Sequence, residues 1–117
     1  MRLPYLKSLN PLASDSQGSA NLGKALGDRS GIERFGEAVV PMDDALVLAA
    51  VDLGGRGFFM WDMPLDGVMT DGFECGLAAH FFRSMGSSAG AAIHLKRFWG
   101  SDPHHLLESC FKAAALA

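Results

Sequence analysis

The sequence is poor in cysteine and has no long apolar segment. Its two cysteines, Cys75 and Cys110, lie in apolar surroundings without CxxC spacing, and we interpret them as buried, reduced thiols that fit the cytoplasm. No apolar run approaches the roughly 20 residues that span a bilayer. The N-terminal stretch also lacks an apolar segment long enough for a signal peptide. These absences argue against a disulfide scaffold and against a membrane protein.

A strong charge imbalance is missing as well. Ten basic and 13 acidic residues give a formal net charge of −3, which offers no surface for a polyanion, so we expect no nucleic-acid partner. A chain of 117 residues can enclose one hydrophobic core but not two. We therefore predict one domain over residues 19–117, after a disordered or loosely packed lead-in over residues 1–18 that is rich in Ser, Asn and Pro.

Hydrophobic periodicity predicts an α+β fold, with a four-stranded, mostly antiparallel sheet and helices packed on one face. Strands are expected over residues 34–42, 45–53, 58–63 and 91–99, and helices over 19–26, over 71–85 and from Ser101 or Asp102 to the chain end. Residues 28–31 are interpreted as a turn. The second and third strands flank a glycine turn and suggest a hairpin, and Gly86 is expected to end the helix before it.

The last predicted helix opens with HHLLE, which brings His104, His105 and Glu108 into its first turns. Consecutive helix residues point about 100° apart, so the two histidines can serve two neighbouring ions more easily than one, and Glu108 can share a face with either. The helix N-terminus disfavours imidazolium, and imidazole with carboxylate suits Mn, Fe, Co, Ni or Zn. The alternative is an ordinary solvated first turn in which Glu108 favours the helix dipole.

Two further histidines precede this helix. His94 lies on the last predicted strand, where the alternation points it away from the core face that carries Ile93 and Leu95. His80 lies beside a phenylalanine pair on the preceding helix, and we interpret it as a surface or helix-packing residue.

Five successive blocks of the chain match one protein family in order and in spacing. They are ALGDRSGIERFG, PMDDAL, DLGGRGFF, HFFRS and IHLKRFWGSDPHHLLESCFKA. These blocks resemble imidazoleglycerol-phosphate dehydratase, a metal-dependent lyase of histidine biosynthesis, and the long last block is the most specific. The resemblance covers residues 19–117 and corresponds to the second of the two similar halves of the family chain. It implies dehydration of imidazole glycerol phosphate to imidazole acetol phosphate.

The resemblance also implies the site residues. It implies two manganese ions per active site, with other divalent metals possible, and metal ligands at His94, His104, His105 and Glu108. His105 and Glu108 are then the expected catalytic residues, although no general-base role is assigned to Glu108. The implied phosphate-binding residues are Arg34, Arg56 and Lys112. Arginine suits that task because its planar fork pairs with phosphate oxygens; the alternative is ordinary surface charge beside turns.

The chain also departs from the family pattern. The first half of the family chain has no counterpart here, and Gly54 and Gly57 replace a usual serine and proline beside Arg56. We therefore expect a truncated, poorly active copy with half-empty metal shells, in a homo-oligomer with sites at subunit interfaces. One alternative function is a non-catalytic metal-binding or structural half-domain that self-associates. Another is a phosphate-ligand binder that uses the same basic residues without metal.

Overall fold

The computed structural model describes residues 30–117 and gives them six strands and two helices. The elements are β1 (Phe35–Met42), β2 (Ala45–Asp52), β3 (Phe58–Asp62), β4 (Met69–Thr70), β5 (Phe73–Glu74), α1 (Gly76–Ala89), β6 (Ala92–Trp99) and α2 (Pro103–Leu116). The predicted lead-in over residues 1–18 and the helical turns over 19–26 lie outside the described residues. Ser30 and Gly31 lie in a turn, as predicted.

Four strands form one mixed sheet in the order β1-β2-β6-β3, and β4 and β5 form a separate pair. β1 with β2 and β2 with β6 are antiparallel, whereas β3 runs parallel to β6. The predicted hairpin of β2 with β3 is therefore wrong, because β6 lies between them. After β2 the chain is tied to the turn before β6: Gly55 N–H donates to the Gly90 carbonyl at 2.9 Å, and Phe58 N–H donates to the Ala91 carbonyl at 3.2 Å. These bonds lead β3 to the far side of β6.

Both helices pack on one face of the sheet, and the core lies between these two layers. α2 packs on β1 and β2, while α1 packs on β3 and β6. The helices also touch each other, since the rings of Phe82 and Phe111 lie 5.0 Å apart. The fully buried side chains of this core include Val47, Ala49, Leu95, Ala78, Phe82, Leu106, Leu107 and Cys110. The α+β class and the one-sided placement of the helices are confirmed.

Helix α1 begins later and ends later than predicted. Residues 71–75 form a turn and the short strand β5 instead of helix. The helix then continues through Gly86, which is buried, because packing outweighs the cost of about 1 kcal/mol for a glycine in a helix interior. It ends at Ala89, and the following Gly90 has a left-handed φ of 65°. Within residues 30–117, neither helix is long and apolar enough to cross a membrane.

The opposite face of the sheet is not covered by any described residue. Alternation along each strand points a second set of side chains toward this open face. Large apolar residues among them include Phe35, Val39, Phe58 and Met60, each at least 49% exposed. His94 and Lys96 alternate with the buried Ile93 and Leu95 on β6 and also face this side, as predicted.

Candidate functional site

The N-terminus of α2 carries the predicted histidine pair. Asp102 caps the helix, and its Oδ1 accepts the backbone N–H of His104 at 2.9 Å and that of His105 at 3.3 Å. Pro103 occupies the first turn, where its missing N–H would have had no helical partner. The two imidazole rings lie with their centroids 6.1 Å apart and their planes at 76°. The cap thus fixes both histidines in one turn, and the rings meet different surroundings.

His104 faces carboxylates on α2 itself and on the turn between β4 and β5. Its Nε2 lies 3.4 Å from Glu108 Oε2, one helical turn further on, and its Nδ1 lies 3.6 Å from Asp71 Oδ2. Glu108 is only 7% exposed, so its carboxylate is held in a largely buried position. The i,i+4 spacing puts an imidazole nitrogen and a carboxylate oxygen side by side, close enough to bind one cation together.

His105 faces the turn between β1 and β2. Its Nδ1 lies 2.6 Å from Asp44 Oδ1, while Asp43 Oδ2 lies 3.6 Å from its Nε2. The hydrogen bond to Asp44 is the main cause that raises the pKa of His105; partial burial opposes it, and the charges of Asp102, Asp44 and Asp43 add to it. The same bond, followed by the backbone N–H of Ser101, lowers the pKa of Asp44.

Gly100 lets the loop before α2 lie directly against the turn between β1 and β2. Its φ is 114°, and a Cβ at this position would lie 2.6 Å from Ala45 Cα and 3.1 Å from the Asp44 carbonyl oxygen. Only glycine combines that φ with such a close approach of backbone. The contact places Ser101 N–H 3.3 Å from Asp44 Oδ2. The acidic turn and the start of α2 are joined in this way.

His94 lies away from this cluster, on the open face of the sheet. Its ring packs 5.4 Å from the ring of Phe58, and it borders a cavity of about 430 Å³ that also includes Asp52. The helices cover the other face of the sheet, and neither His104 nor His105 lines this cavity. The described chain therefore brings together three of the four predicted metal ligands and does not bring His94 to them.

The described residues hold two partial sets of metal donors. One set is His104 with Glu108, and the other is His105 with Asp43 of the acidic turn. Within residues 30–117, no three His, Cys, Asp or Glu side chains are arranged to hold one metal ion. Imidazole and carboxylate donors without thiolate suit Mn, Fe, Co, Ni or Zn. The donor types therefore fit such an ion, while a complete shell needs groups beyond each partial set.

The predicted phosphate-binding residues Arg34 and Arg56 both act on Asp52, at the other end of β2. Arg34 donates from Nε to Asp52 Oδ1 at 2.8 Å and from Nη2 to Oδ2 at 3.3 Å, and its guanidinium lies 4.9 Å from the centroid of the Phe35 ring. The hydrogen bonds of this exposed pair raise the pKa of Arg34 and lower that of Asp52, to which the charge of Arg56 also contributes. Lys112 lies on α2 and is linked to no other described residue by a hydrogen bond or ion pair.

Sequence reasoning missed the aspartates around the histidines. Asp43 and Asp44 are the two residues between the strands predicted over 34–42 and 45–53, and Asp71 is the first residue of the helix predicted over 71–85. The available signal was the two-residue spacing between two strands, which predicts a tight turn at a sheet end. That α2 begins beside this same turn depends on the tertiary fold, and Gly100 was its only local sign.

The fold and the site define a class of protein: an α+β domain with two helices on one face of a mixed sheet and imidazole and carboxylate groups clustered where the second helix begins. Comparison with known proteins then names the family. The family described as imidazoleglycerol-phosphate dehydratase matches residues 18–117. The chain belongs to the imidazoleglycerol-phosphate dehydratase family, as its sequence blocks predicted.

Curated relatives agree with this assignment and show how much of the family chain is matched. The imidazoleglycerol-phosphate dehydratase of Caldivirga maquilingensis is 49% identical over 98 residues, which cover 84% of this chain and 51% of the relative. That of Pelotomaculum thermopropionicum is 47% identical over 92 residues, which cover 79% and 47%. The chain thus spans about half the length of the curated relatives it matches.

Solved structures show the same fold. A crystal structure of the dehydratase from Pyrococcus furiosus superposes with a TM-score of 0.75 and 34% identity, over 87% of this chain and 58% of that one. The Staphylococcus aureus dehydratase gives a TM-score of 0.75 at 26% identity, over 88% and 66%. The α+β architecture is therefore that of this family.

Proposed function

We propose that this chain serves the dehydration of imidazole glycerol phosphate to imidazole acetol phosphate in histidine biosynthesis. The observation that carries the proposal is the cluster of His104, His105 and Glu108 at the start of α2, in a chain that belongs to this family. Because each partial donor set is incomplete within residues 30–117, we propose that the chain has poor activity by itself.

We propose Mn²⁺ as the metal, with one ion at His104 and Glu108 and a second at His105. When bound, such ions supply Lewis-acid stabilisation and a template for the substrate ring. The donors themselves support this assignment: Glu108 Oε2 lies 3.4 Å from His104 Nε2, and His105 turns toward a different set of carboxylates. His105 and Glu108 remain the proposed catalytic residues, since both would contact an ion.

We propose that Arg34, Arg56 and Lys112 hold the substrate phosphate. Arg34 and Arg56 both act on Asp52, which places two cations at one end of β2. The Asp52 carboxylate accepts from Nε and Nη2 of Arg34, so the Nη1 group remains outside this pair. Two guanidinium groups at one end of β2, with hydrogen-bond donors that are not used by Asp52, suit a phosphate group.

The two ends of β2 are too far apart to serve one substrate molecule within one chain. Asp44, beside His105, precedes β2, and Asp52, bonded to Arg34, ends it. The eight residues of β2 rise by about 3.3 Å each and span about 25 Å. That length greatly exceeds an imidazole ring that carries a three-carbon phosphate. We therefore propose a homo-oligomer in which one copy supplies metal donors and another supplies the phosphate-binding end.

Metal content tests the ligand assignment directly. After loading with Mn²⁺ and removal of free ions, the doubly substituted His104→Ala, His105→Ala chain should retain far less metal than the wild type. Equal metal content in both would exclude these ligands. His94→Ala is the comparison variant, because His94 lies on the open face: retention of metal confines the ligands to the start of α2, and loss places His94 in a site between copies.

Complementation tests the composite site. Each of two variants, His104→Ala with His105→Ala and Arg34→Ala with Arg56→Ala, should show no turnover alone with Mn²⁺ and imidazole glycerol phosphate. A refolded mixture should regain part of the low wild-type turnover, because some mixed sites take intact groups from both copies. No recovery beside a measurable wild-type rate would contradict shared sites, and rapid turnover by the wild type would contradict the proposed poor activity.

A second candidate function is a non-catalytic module that self-associates. The open sheet face favours it, since Phe35 is 66%, Phe58 51% and Met60 49% exposed, and exposed apolar patches mark interaction surfaces. Sedimentation equilibrium of the wild type and of Met60→Lys would test this face. Oligomers that depend on Met60, from a chain that binds no Mn²⁺ and turns over no substrate, would favour this candidate over the dehydratase.

We also propose a cytoplasmic location. Cys75 and Cys110 are free and buried, and neither forms the disulfide that an oxidising compartment favours. Burial raises the pKa of both thiols, and the charge of Glu74 adds to this for Cys75. Protonated, buried thiols are unreactive, which suits a chain kept in a reducing environment.

A further inference from the structure

The contact between Asp44 and His105 determines the chemical form of the histidine ring. Asp44 Oδ1 lies 2.6 Å from His105 Nδ1. Aspartate is ionised at neutral pH, and an ionised carboxylate can only accept a hydrogen bond. The hydrogen must therefore lie on Nδ1 and be donated to Asp44. In a neutral imidazole the lone pair is then on the other nitrogen, Nε2.

We propose that Asp44 is a positioning residue for His105. The Asp44 carboxylate fixes the Nδ1–H form of the ring and leaves the lone pair of Nε2 available to bind a metal. The inference rests on the proposed metal site and deepens it, because a carboxylate behind a histidine sets which nitrogen binds a metal. Nε2 is open for that role: Asp43 Oδ2 lies 3.6 Å from it, beyond hydrogen-bond distance.

Asp44 is well placed to impose this form because its own carboxylate is held. It lies in a two-residue turn between Met42 and Ala45, which are paired in the sheet. Its second oxygen, Oδ2, accepts the backbone N–H of Ser101 at 3.3 Å. The backbone of Asp44 is therefore held between β1 and β2, and its carboxylate is held by the loop that leads into α2.

The effect is specific to His105. Asp102 Oδ2 lies 3.8 Å from His105 Nδ1, too far to replace Asp44 as acceptor. On the neighbouring His104, Asp71 Oδ2 lies 3.6 Å from Nδ1 and Glu108 Oε2 lies 3.4 Å from Nε2, so no carboxylate approaches that ring as closely as Asp44 approaches His105. The close contact that selects one ring form is therefore made by His105.

The ring form can be read from the nitrogen chemical shifts of the metal-free full chain by long-range ¹H–¹⁵N correlation. Spectra are recorded at a pH where the rings are neutral, and His105→Gln assigns the signals. The wild type should show Nδ1–H. Asp44→Ala should shift the ring toward Nε2–H, the form that free histidine prefers. Asp43→Asn, which removes one charge from the same turn, should keep Nδ1–H.

Circular dichroism checks that each variant is folded, and Asp44→Asn replaces Asp44→Ala if the latter is not. In the asparagine variant the amide oxygen stays with Ser101 N–H and turns the NH₂ group toward Nδ1, so the same shift is expected. An Nδ1–H ring that persists in the folded variant overturns the proposal.

A titration with Mn²⁺ alone gives the second readout. Loss of such a carboxylate weakens metal binding by about 10–100-fold, so Asp44→Ala should bind Mn²⁺ correspondingly more weakly than the wild type. Unchanged affinity in Asp44→Ala overturns the positioning role. A wild-type ring in the Nε2–H form overturns it whether or not Mn²⁺ binds. A wild type that binds no Mn²⁺ overturns the proposed metal site, while the ring form still decides the role of Asp44.

Discussion

Replacement of Gly100 tests whether the contact between the acidic turn and the start of α2 supports both the fold and the site. At φ 114° an alanine has a strained backbone, which costs about 1–3 kcal/mol. Its Cβ would also lie 2.6 Å from Ala45 Cα and 2.9 Å from Ala45 Cβ. These atoms belong to the sheet, so the loop must move, and overpacking costs about 1–3 kcal/mol. We expect Gly100→Ala to lower the free energy of unfolding by about 2–6 kcal/mol.

Gly55→Ala is a matched control for this change. Gly55 has a φ of 94° and no atom within 4 Å of its added Cβ, so it should lose only the backbone part, about 1–3 kcal/mol. Urea unfolding followed by circular dichroism measures both variants. Equal losses would refute the close contact at Gly100. The same displacement should break the bond from Ser101 to Asp44 and change the ring signals of His105 in Gly100→Ala, while Gly55→Ala leaves them unchanged.

Three further predictions concern the packing and charges around the site. Ser109→Ala removes a buried hydroxyl that donates to the Val40 carbonyl and should cost about 1–3 kcal/mol in urea unfolding; an unchanged midpoint would contradict it. Asp52 has a pKa lowered by Arg34 in the folded state, so this pair stabilises the fold above the ordinary value of 3.8 and the stabilisation is lost as the pH falls through the lowered value. Asp52→Asn should therefore show a smaller drop in Tm between pH 6 and pH 3 than the wild type, and equal drops would exclude the pair. Cys110 is fully buried with a raised pKa, so it should react with a thiol reagent only after denaturation, and rapid reaction of the native chain would contradict its burial.

The strands and helices were predictable from sequence because their signals are local. Alternation of Ile93 and Leu95 with polar neighbours predicted β6, and Ser101 or Asp102 ahead of a proline predicted the start of α2. The order of strands was not predictable in the same way. The neighbour of β2 is set by hydrogen bonds from its far end to residues around Gly90, which lie more than 30 positions further along the chain. A glycine turn between two strands was therefore not sufficient evidence for a hairpin.

The candidate site was likewise predictable where it depends on spacing within one helix, and not where it depends on the packing of elements. HHLLE placed three donors at one helix start, since spacing within a helix fixes their neighbourhood. The relation of His94 to them depends on which face of the sheet the helix covers. The alternation already pointed His94 away from Ile93 and Leu95, so the packing of α2 on that core face puts His94 on the other side. A sequence distance of ten residues carried no information about this.

The distribution of charge explains why metal and phosphate are expected at different ends of the chain. Two imidazoles at the start of α2 are surrounded by the carboxylates of Asp43, Asp44, Asp71, Asp102 and Glu108. Such a field attracts divalent cations and repels a phosphate. At the far end of β2, the charges of Arg34 and Arg56 both lower the pKa of Asp52, so this end offers two guanidinium groups to an anion. In the proposed homo-oligomer, the acidic end of one copy would meet the basic end of another, and together they would complement a ligand with an imidazole at one end and a phosphate at the other.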